Sequence, residues 1–167
     1  MNDGFNILFV CSGNACRSPM AEGLLKKKLY PDYAKKVTVS SAGTLGLQGS
    51  PPTSHALTVA REKGVDISQH RSRGVNQQIL ERADLILVMA PHHFDYIIEK
   101  FPSVKNRVFL LKSYAAEGEP IENVAISDPI GENLSFYRTI INQIERELDR
   151  ILPAVKSKID HKLQNKA

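Results

Sequence analysis

Phe5-Asn6-Ile7-Leu8-Phe9-Val10-Cys11-Ser12-Gly13-Asn14-Ala15-Cys16-Arg17-Ser18-Pro19-Met20 changes character twice. Phe5 to Val10 is apolar apart from Asn6 and reads as a buried strand. Pro19-Met20-Ala21-Glu22-Gly23-Leu24-Leu25 reads as the first turns of a helix. Between them lies a cysteine, five residues, an arginine and a serine. Strand, tight loop and helix form the geometry that aims backbone N–H groups at an anion. A cysteine at the mouth of such a loop sits in a positive field, which favours the thiolate, its nucleophilic form.

Working outward from that run, strands and helices alternate. A helix is expected over 18–30 and a β-branched strand over Val37-Thr38-Val39-Ser40-Ser41. A Gly/Pro-rich loop spans 43–52, and a helix over 53–63 is closed by Gly64. After a polar, basic segment, a short helix is expected over 77–82. Asp84-Leu85-Ile86-Leu87-Val88-Met89 is apolar on both faces, as strands of a parallel sheet are. Pro91 opens a helix to Lys100, and Arg107-Val108-Phe109-Leu110-Leu111 is a fourth strand. Residues 112–132 read mostly as loop. Tyr137, Ile140, Ile141, Ile144, Leu148, Ile151 and Leu152 then keep helical spacing from about Asn133, and Pro153 is expected to break or kink that helix. The fold class is therefore α/β: a four-stranded parallel sheet with helices on both faces and an anion-binding loop between first strand and first helix. Ligands of such sheets sit at the carboxyl ends of strands, where Cys11 falls.

Composition bounds the function. The 167 residues suit one domain, spanning 1–167, with a core of its own. The net charge of +4 is mild, and part of the excess lies in the tail at Lys156, Lys158, Lys162 and Lys166, which reads as a solvated helix end. There is no Trp and no basic stripe with interleaved aromatics, so no nucleic-acid partner is expected. No charged leader with a long apolar run opens the chain, and no stretch approaches a membrane-spanning length. Two cysteines outside a secretory context suit a reducing cytoplasm, where catalysis is the expected use.

The loop residues have separable roles. Arg17 offers a fork of donors that matches two phosphate oxygens at once. Gly13 is expected to supply backbone freedom, and Asn14 to tolerate left-handed geometry and lock the loop through its amide. Ser18 reads as the helix N-cap, with a hydroxyl that could also donate to the Cys11 sulfur. Cys16 is either a small buried side chain or a partner for Cys11 on oxidation. His92-His93 reads as a surface pair. A zinc site is not expected, because the cysteines and histidines lack paired spacing. A poor leaving group needs a proton, and the residues alone leave Asp128, Glu117, Glu119 and Glu122 as candidate acids. Asp128 is favoured among them because Pro129 restricts its backbone.

Val10-Cys11-Ser12-Gly13-Asn14-Ala15-Cys16-Arg17-Ser18-Pro19-Met20-Ala21-Glu22 resembles the signature of the low-molecular-weight protein tyrosine phosphatases, and the resemblance covers nearly the whole chain. It implies phosphomonoester hydrolysis without metal or cofactor, through a cysteinyl-phosphate intermediate on a phosphorylated protein substrate. It implies Cys11 as nucleophile, Arg17 as phosphate ligand, Asp128 as acid, and Ser12 to Cys16 with Ser18 as the binding loop. It also implies that Ser41, in Ser41-Ala42-Gly43, and His70, within a basic segment over 66–73, brace that loop.

Phosphotyrosine is the primary expected substrate. The alternative is phosphoarginine, because Asp128-Pro129-Ile130-Gly131 before a long amphipathic helix resembles the acid loop of the family's arginine branch. Phosphotyrosine enzymes of the family often carry an aromatic residue where Ile130 stands and a bulky apolar one where Ala15 stands. Both positions are expected to line the wall against which the leaving group rests. An arsenate reductase on the same fold would need further downstream cysteines to relay a disulfide, and there are none after Cys16.

Overall fold

Side chains alternate along the first strand, so its two faces bury two different layers. The computed structural model describes residues 4–118 and 120–166; residues 1–3, 119 and 167 of the expected domain lie outside the described residues. Strand β1 (Phe5–Cys11) sends Phe5, Ile7, Phe9 and Cys11 into one apolar layer and Leu8 and Val10 into the other. Strand β3 (Leu85–Val88) divides in the same way, with Leu85 and Leu87 against Ile86 and Val88. With β2 (Val37–Gly43) and β4 (Val108–Leu110) they form a four-stranded, all-parallel sheet in the order β2-β1-β3-β4. Strand β1 is central, and its last residue, Cys11, pairs with Gly43.

One face is covered by α1 (Arg17–Leu29), α2 (Ser54–Glu62) and α5 (Leu134–Gln164). The other is covered by α3 (Gln77–Arg82), α4 (Pro91–Lys100) and a 3-10 turn, Pro102–Arg107, that the sequence pattern did not signal. Among the described residues no helix is long and apolar enough to cross a membrane.

Pro153 does not break the last helix: α5 runs through it to Gln164. A proline inside a helix costs roughly 3 kcal/mol, and burying one Val or Ile side chain returns roughly 1.5–3 kcal/mol. Ile151, Val155 and Ile159 around and beyond the proline are fully buried, so packing outweighs the lost hydrogen bond. Lys162, in the expected solvated tail, instead donates to Asp84 Oδ2 at 2.7 Å and to the Gly4 carbonyl at 3.0 Å. That pins the end of α5 to the amino edge of the sheet.

Candidate active site

The loop after β1 is held from outside by its carbonyl groups. Those of Cys11 and Ser12 accept from the amides of Thr44 and Leu45, and that of Ala15 from Thr53. The Asn14 carbonyl is 2.7 Å from His70 Nε2; a carbonyl only accepts, so that nitrogen carries the proton. Each trans peptide aims its N–H opposite to its C=O, so outward carbonyls turn the loop amides toward the interior, as an anion cradle requires.

Asn14 is the lock. It is fully buried with φ of 55°, the left-handed region its short amide tolerates. Its Oδ1 accepts from the Arg73 backbone N–H at 3.0 Å, which assigns the amide without ambiguity. Its Nδ2 therefore donates to Ser18 Oγ at 2.8 Å and Ser41 Oγ at 3.0 Å. The Ser18 hydroxyl, 2.9 Å from Cys11 Sγ, is thereby held where it donates to the sulfur once the thiol has lost its proton. Ser18 is thus not the N-cap of α1. The cap position is Cys16, whose side chain makes no cap bond, and Ser18 lies inside the first turn with its hydroxyl committed to the sulfur. Gly13 is not among the left-handed residues. The loop's demand for glycine falls instead on Gly43, where a Cβ would lie 2.4 Å from the Ser12 carbonyl oxygen.

Arg17 is 3% exposed, and its Nη1 donates to the Ile126 carbonyl at 2.8 Å. Ile126 is itself tied to the end of β3 through the Met89 carbonyl, at 2.7 Å. This anchor carries the following residues over the loop and sets Asp128 Oδ2 3.5 Å from Arg17 Nη2. The other carboxylate oxygen, Oδ1, accepts from the Ile130 N–H at 3.1 Å. Gly131 then turns the chain with φ of 79°, and Asn133 caps α5 by accepting from Phe136 N. Turn and cap together fix where Asp128 hangs. Cys11, Gly13, Ala15, Cys16, Arg17, Asp128 and Ile130 line one small cavity of about 20 Å³. Of the other candidate acids, Glu117 lines a separate groove against α5, Glu122 is exposed outside this lining, and Glu119 lies outside the described residues. Among the described residues no three His, Cys, Asp or Glu are grouped to hold a metal ion.

Both cysteines are free and buried, Cys11 at 3% exposure. Burial pushes the Cys16 thiol up, against hydrogen bonds from Thr53 and Tyr137 that lower it; the nearby Cys11 and Asp128 add to the rise. The Tyr137 hydroxyl, 3.4 Å from Cys16 Sγ, is pushed up to about 12, chiefly by its own burial.

His92-His93 is not a surface pair. Pro91 opens α4 at the carboxyl end of β3, which turns His93 inward; it is fully buried, with Nε2 2.8 Å from Ser12 Oγ. Burial, then the charge of Arg17 and the neighbouring His92, pushes the His93 imidazole down to about 3. Its position at the mouth of a parallel strand was the available signal. Nothing local marked Ile126, Thr53 or Tyr137 as neighbours of the site.

The family model described as low molecular weight phosphotyrosine protein phosphatase matches residues 6–164. The protein-arginine-phosphatase of Geobacillus stearothermophilus is 38% identical over 149 residues, covering 88% of this chain and 93% of the other. The probable low molecular weight protein-tyrosine-phosphatase EpsP of Ralstonia nicotianae is 36% identical over 151 residues, covering 90% and 96%. The solved structure of the YwlE arginine phosphatase from Geobacillus stearothermophilus superposes with a TM-score of 0.80 at 36% identity, over 92% of this chain and 94% of that one. With a match spanning nearly every described residue, the chain belongs to the low molecular weight phosphotyrosine protein phosphatase family, a family of hydrolases.

Proposed function

We propose that the protein removes a phosphoryl group from a protein side chain, with Cys11 as nucleophile, Arg17 as phosphoryl ligand and Asp128 as proton donor. One observation carries this reading: Cys11, Arg17 and Asp128, which lie far apart in sequence, line one cavity with the loop. The Cys11 thiolate attacks phosphorus in line with the leaving group, and the Ser18 hydroxyl, 2.9 Å away, donates to the sulfur. Loop amides and the free donors of Arg17 hold the equatorial oxygens, and these contacts strengthen as charge develops. Asp128 protonates the leaving group and then activates water against the cysteinyl phosphate. A cavity of about 20 Å³ has room for about one water molecule. A phosphoryl group therefore displaces Asp128 from Arg17 as it enters, replacing one anion on the guanidinium by another. Attack requires a free thiol, which a reducing cytoplasm maintains.

Phosphotyrosine is the primary substrate in this reading, following the family. Phosphoarginine is the second, favoured by a specific observation: Ala15 and Ile130 line the cavity without an aromatic partner, so a phenyl ring gains no stacking. A guanidinium could instead donate to Asp128. Turnover of a phosphotyrosine peptide and a phosphoarginine peptide, side by side with Cys11→Ser, tests both levels. Loss of both activities in Cys11→Ser, with vanadate binding retained, is expected. Turnover by that variant would remove Cys11 from the mechanism, and the ratio in the unaltered protein decides the substrate.

A further inference from the structure

We propose that His93 is a positioning residue for Arg17, serving as a neutral acceptor for the Ser12 hydroxyl; this rests on the reading of Arg17 as phosphoryl ligand.

The argument starts from directions of donation. Arg17 has donors only, and its Nη2 faces Ser12 Oγ at 3.5 Å, a long contact that still orients the hydroxyl dipole. The oxygen of Ser12 turns toward the guanidinium, so its proton turns away. Two imidazoles lie within reach of that hydroxyl. His92 Nε2 is 3.4 Å off on an exposed ring, whereas His93 Nε2 is 2.8 Å off on a buried one. The shorter contact takes the proton. His93 Nε2 is then unprotonated, and the ring's single proton sits on Nδ1.

Nδ1 is buried and has no hydrogen-bond partner among the described residues. An unpaired buried donor is destabilising and uncommon in native proteins. A phenylalanine or leucine would fill the same space without that penalty, so packing alone does not account for a histidine here. The feature unique to histidine is the acceptor aimed at Ser12. Protonation is opposed first by burial, then by Arg17 and by His92, whose ring centroid is 4.0 Å away. The chain Arg17 Nη2–H to Ser12 Oγ–H to His93 Nε2 thus has one stable direction.

Its consequence falls on Arg17. The Ile126 carbonyl fixes one arm of the guanidinium, and Ser12 fixes the approach of the other. Between them the plane of the fork is set before substrate arrives, which is the preorganisation that phosphoryl transfer rewards. Arg17 contacts tighten in the transition state, so misalignment appears in kcat more than in KM.

The test uses para-nitrophenyl phosphate with His93→Gln, His93→Asn, Ser12→Ala and Ser12→Ala/His93→Asn. Gln places an amide oxygen near the position of Nε2; Asn reaches only that of Nδ1. His93→Gln is expected within about three-fold of the unaltered kcat, and His93→Asn and Ser12→Ala each about ten-fold below it with KM within about two-fold. The double variant should be no slower than Ser12→Ala, since His93 acts through that hydroxyl. NMR of the ring nitrogens should show a neutral Nδ1–H tautomer, a readout independent of turnover. An Nε2–H tautomer, an unchanged kcat in His93→Asn or Ser12→Ala, or losses that multiply in the double variant would each overturn the proposal. If His93→Asn does not fold, Ser12→Ala and the NMR measurement still decide it. Turnover that survives in Cys11→Ser would instead remove Cys11 from the proposed mechanism while leaving the tautomer result standing.

Discussion

Acidification should destabilise this protein through His93, by an amount that can be worked out. The imidazole is pushed from its ordinary 6.5 down to about 3 by burial, with Arg17 and His92 adding to it. Between those values the unfolded chain binds a proton that the native protein refuses. Where the unfolded state binds more protons, stability rises with pH and falls as pH falls. The contribution is therefore complete above pH 6.5 and is lost as pH drops through the window down to 3, at about 1.4 kcal/mol per pH unit. From pH 7 to pH 5 the loss due to His93 is about 2 kcal/mol, a substantial part of a typical domain stability of about 5–15 kcal/mol. Glu62 and Asp66, whose carboxyls are held low by hydrogen bonds to Arg138 and Ser68, slope the same way at more acid pH. Urea unfolding of the unaltered protein and His93→Gln, at pH 7, 6 and 5 in buffer free of phosphate and sulfate, isolates the histidine because every other group is common to both. The difference in unfolding free energy should shrink by about 2 kcal/mol across that range. Parallel pH dependences in the two proteins would refute the reasoning and mean that His93 titrates in the native state as it does when unfolded.

Three further outcomes are expected. Asp128→Asn should slow esters of poorly leaving alcohols far more than para-nitrophenyl phosphate, because only the former need the proton; an equal loss on both would assign Asp128 a structural role. Mild peroxide should inactivate reversibly by oxidising Cys11 to a sulfenic acid, which Cys16 converts to a disulfide with loss of water. Because the Cys16 thiol is pushed up by burial, trapping should quicken as pH rises; mass spectra with only sulfinic or sulfonic Cys11 and untouched Cys16 would contradict this. Ala15→Ile with Ile130→Tyr should lower KM for phosphotyrosine peptides more than it raises kcat, since both side chains line the cavity and a bulkier wall binds ground state and transition state alike. No gain in the double variant would show that these positions do not set specificity.

What the sequence determined by itself is whatever one contiguous run or one local period encodes. Phe5 to Met20 holds strand, anion loop and helix start in consecutive residues, so the placement of Cys11 and Arg17 follows from their neighbours. The apolar spacing of α5 and the proline opening α4 are likewise local, and those elements are where the pattern puts them. On the residues alone Asp128 is one acid among several, favoured only by the proline after it, and the family resemblance is what singles it out. Tertiary structure decided the rest, because it depends on which segments the sheet brings together. The order β2-β1-β3-β4 sets β3 beside β1, and that alone lays His93 against Ser12 and the Ile126 carbonyl against Arg17. Ser18 has the chemistry of an N-cap, but Asn14 and the Cys11 sulfur hold its hydroxyl more closely than a free helix end would. The glycine requirement moved from Gly13 to Gly43 because the crowding comes from β2 pressing on the loop, a contact between strands that no local pattern records.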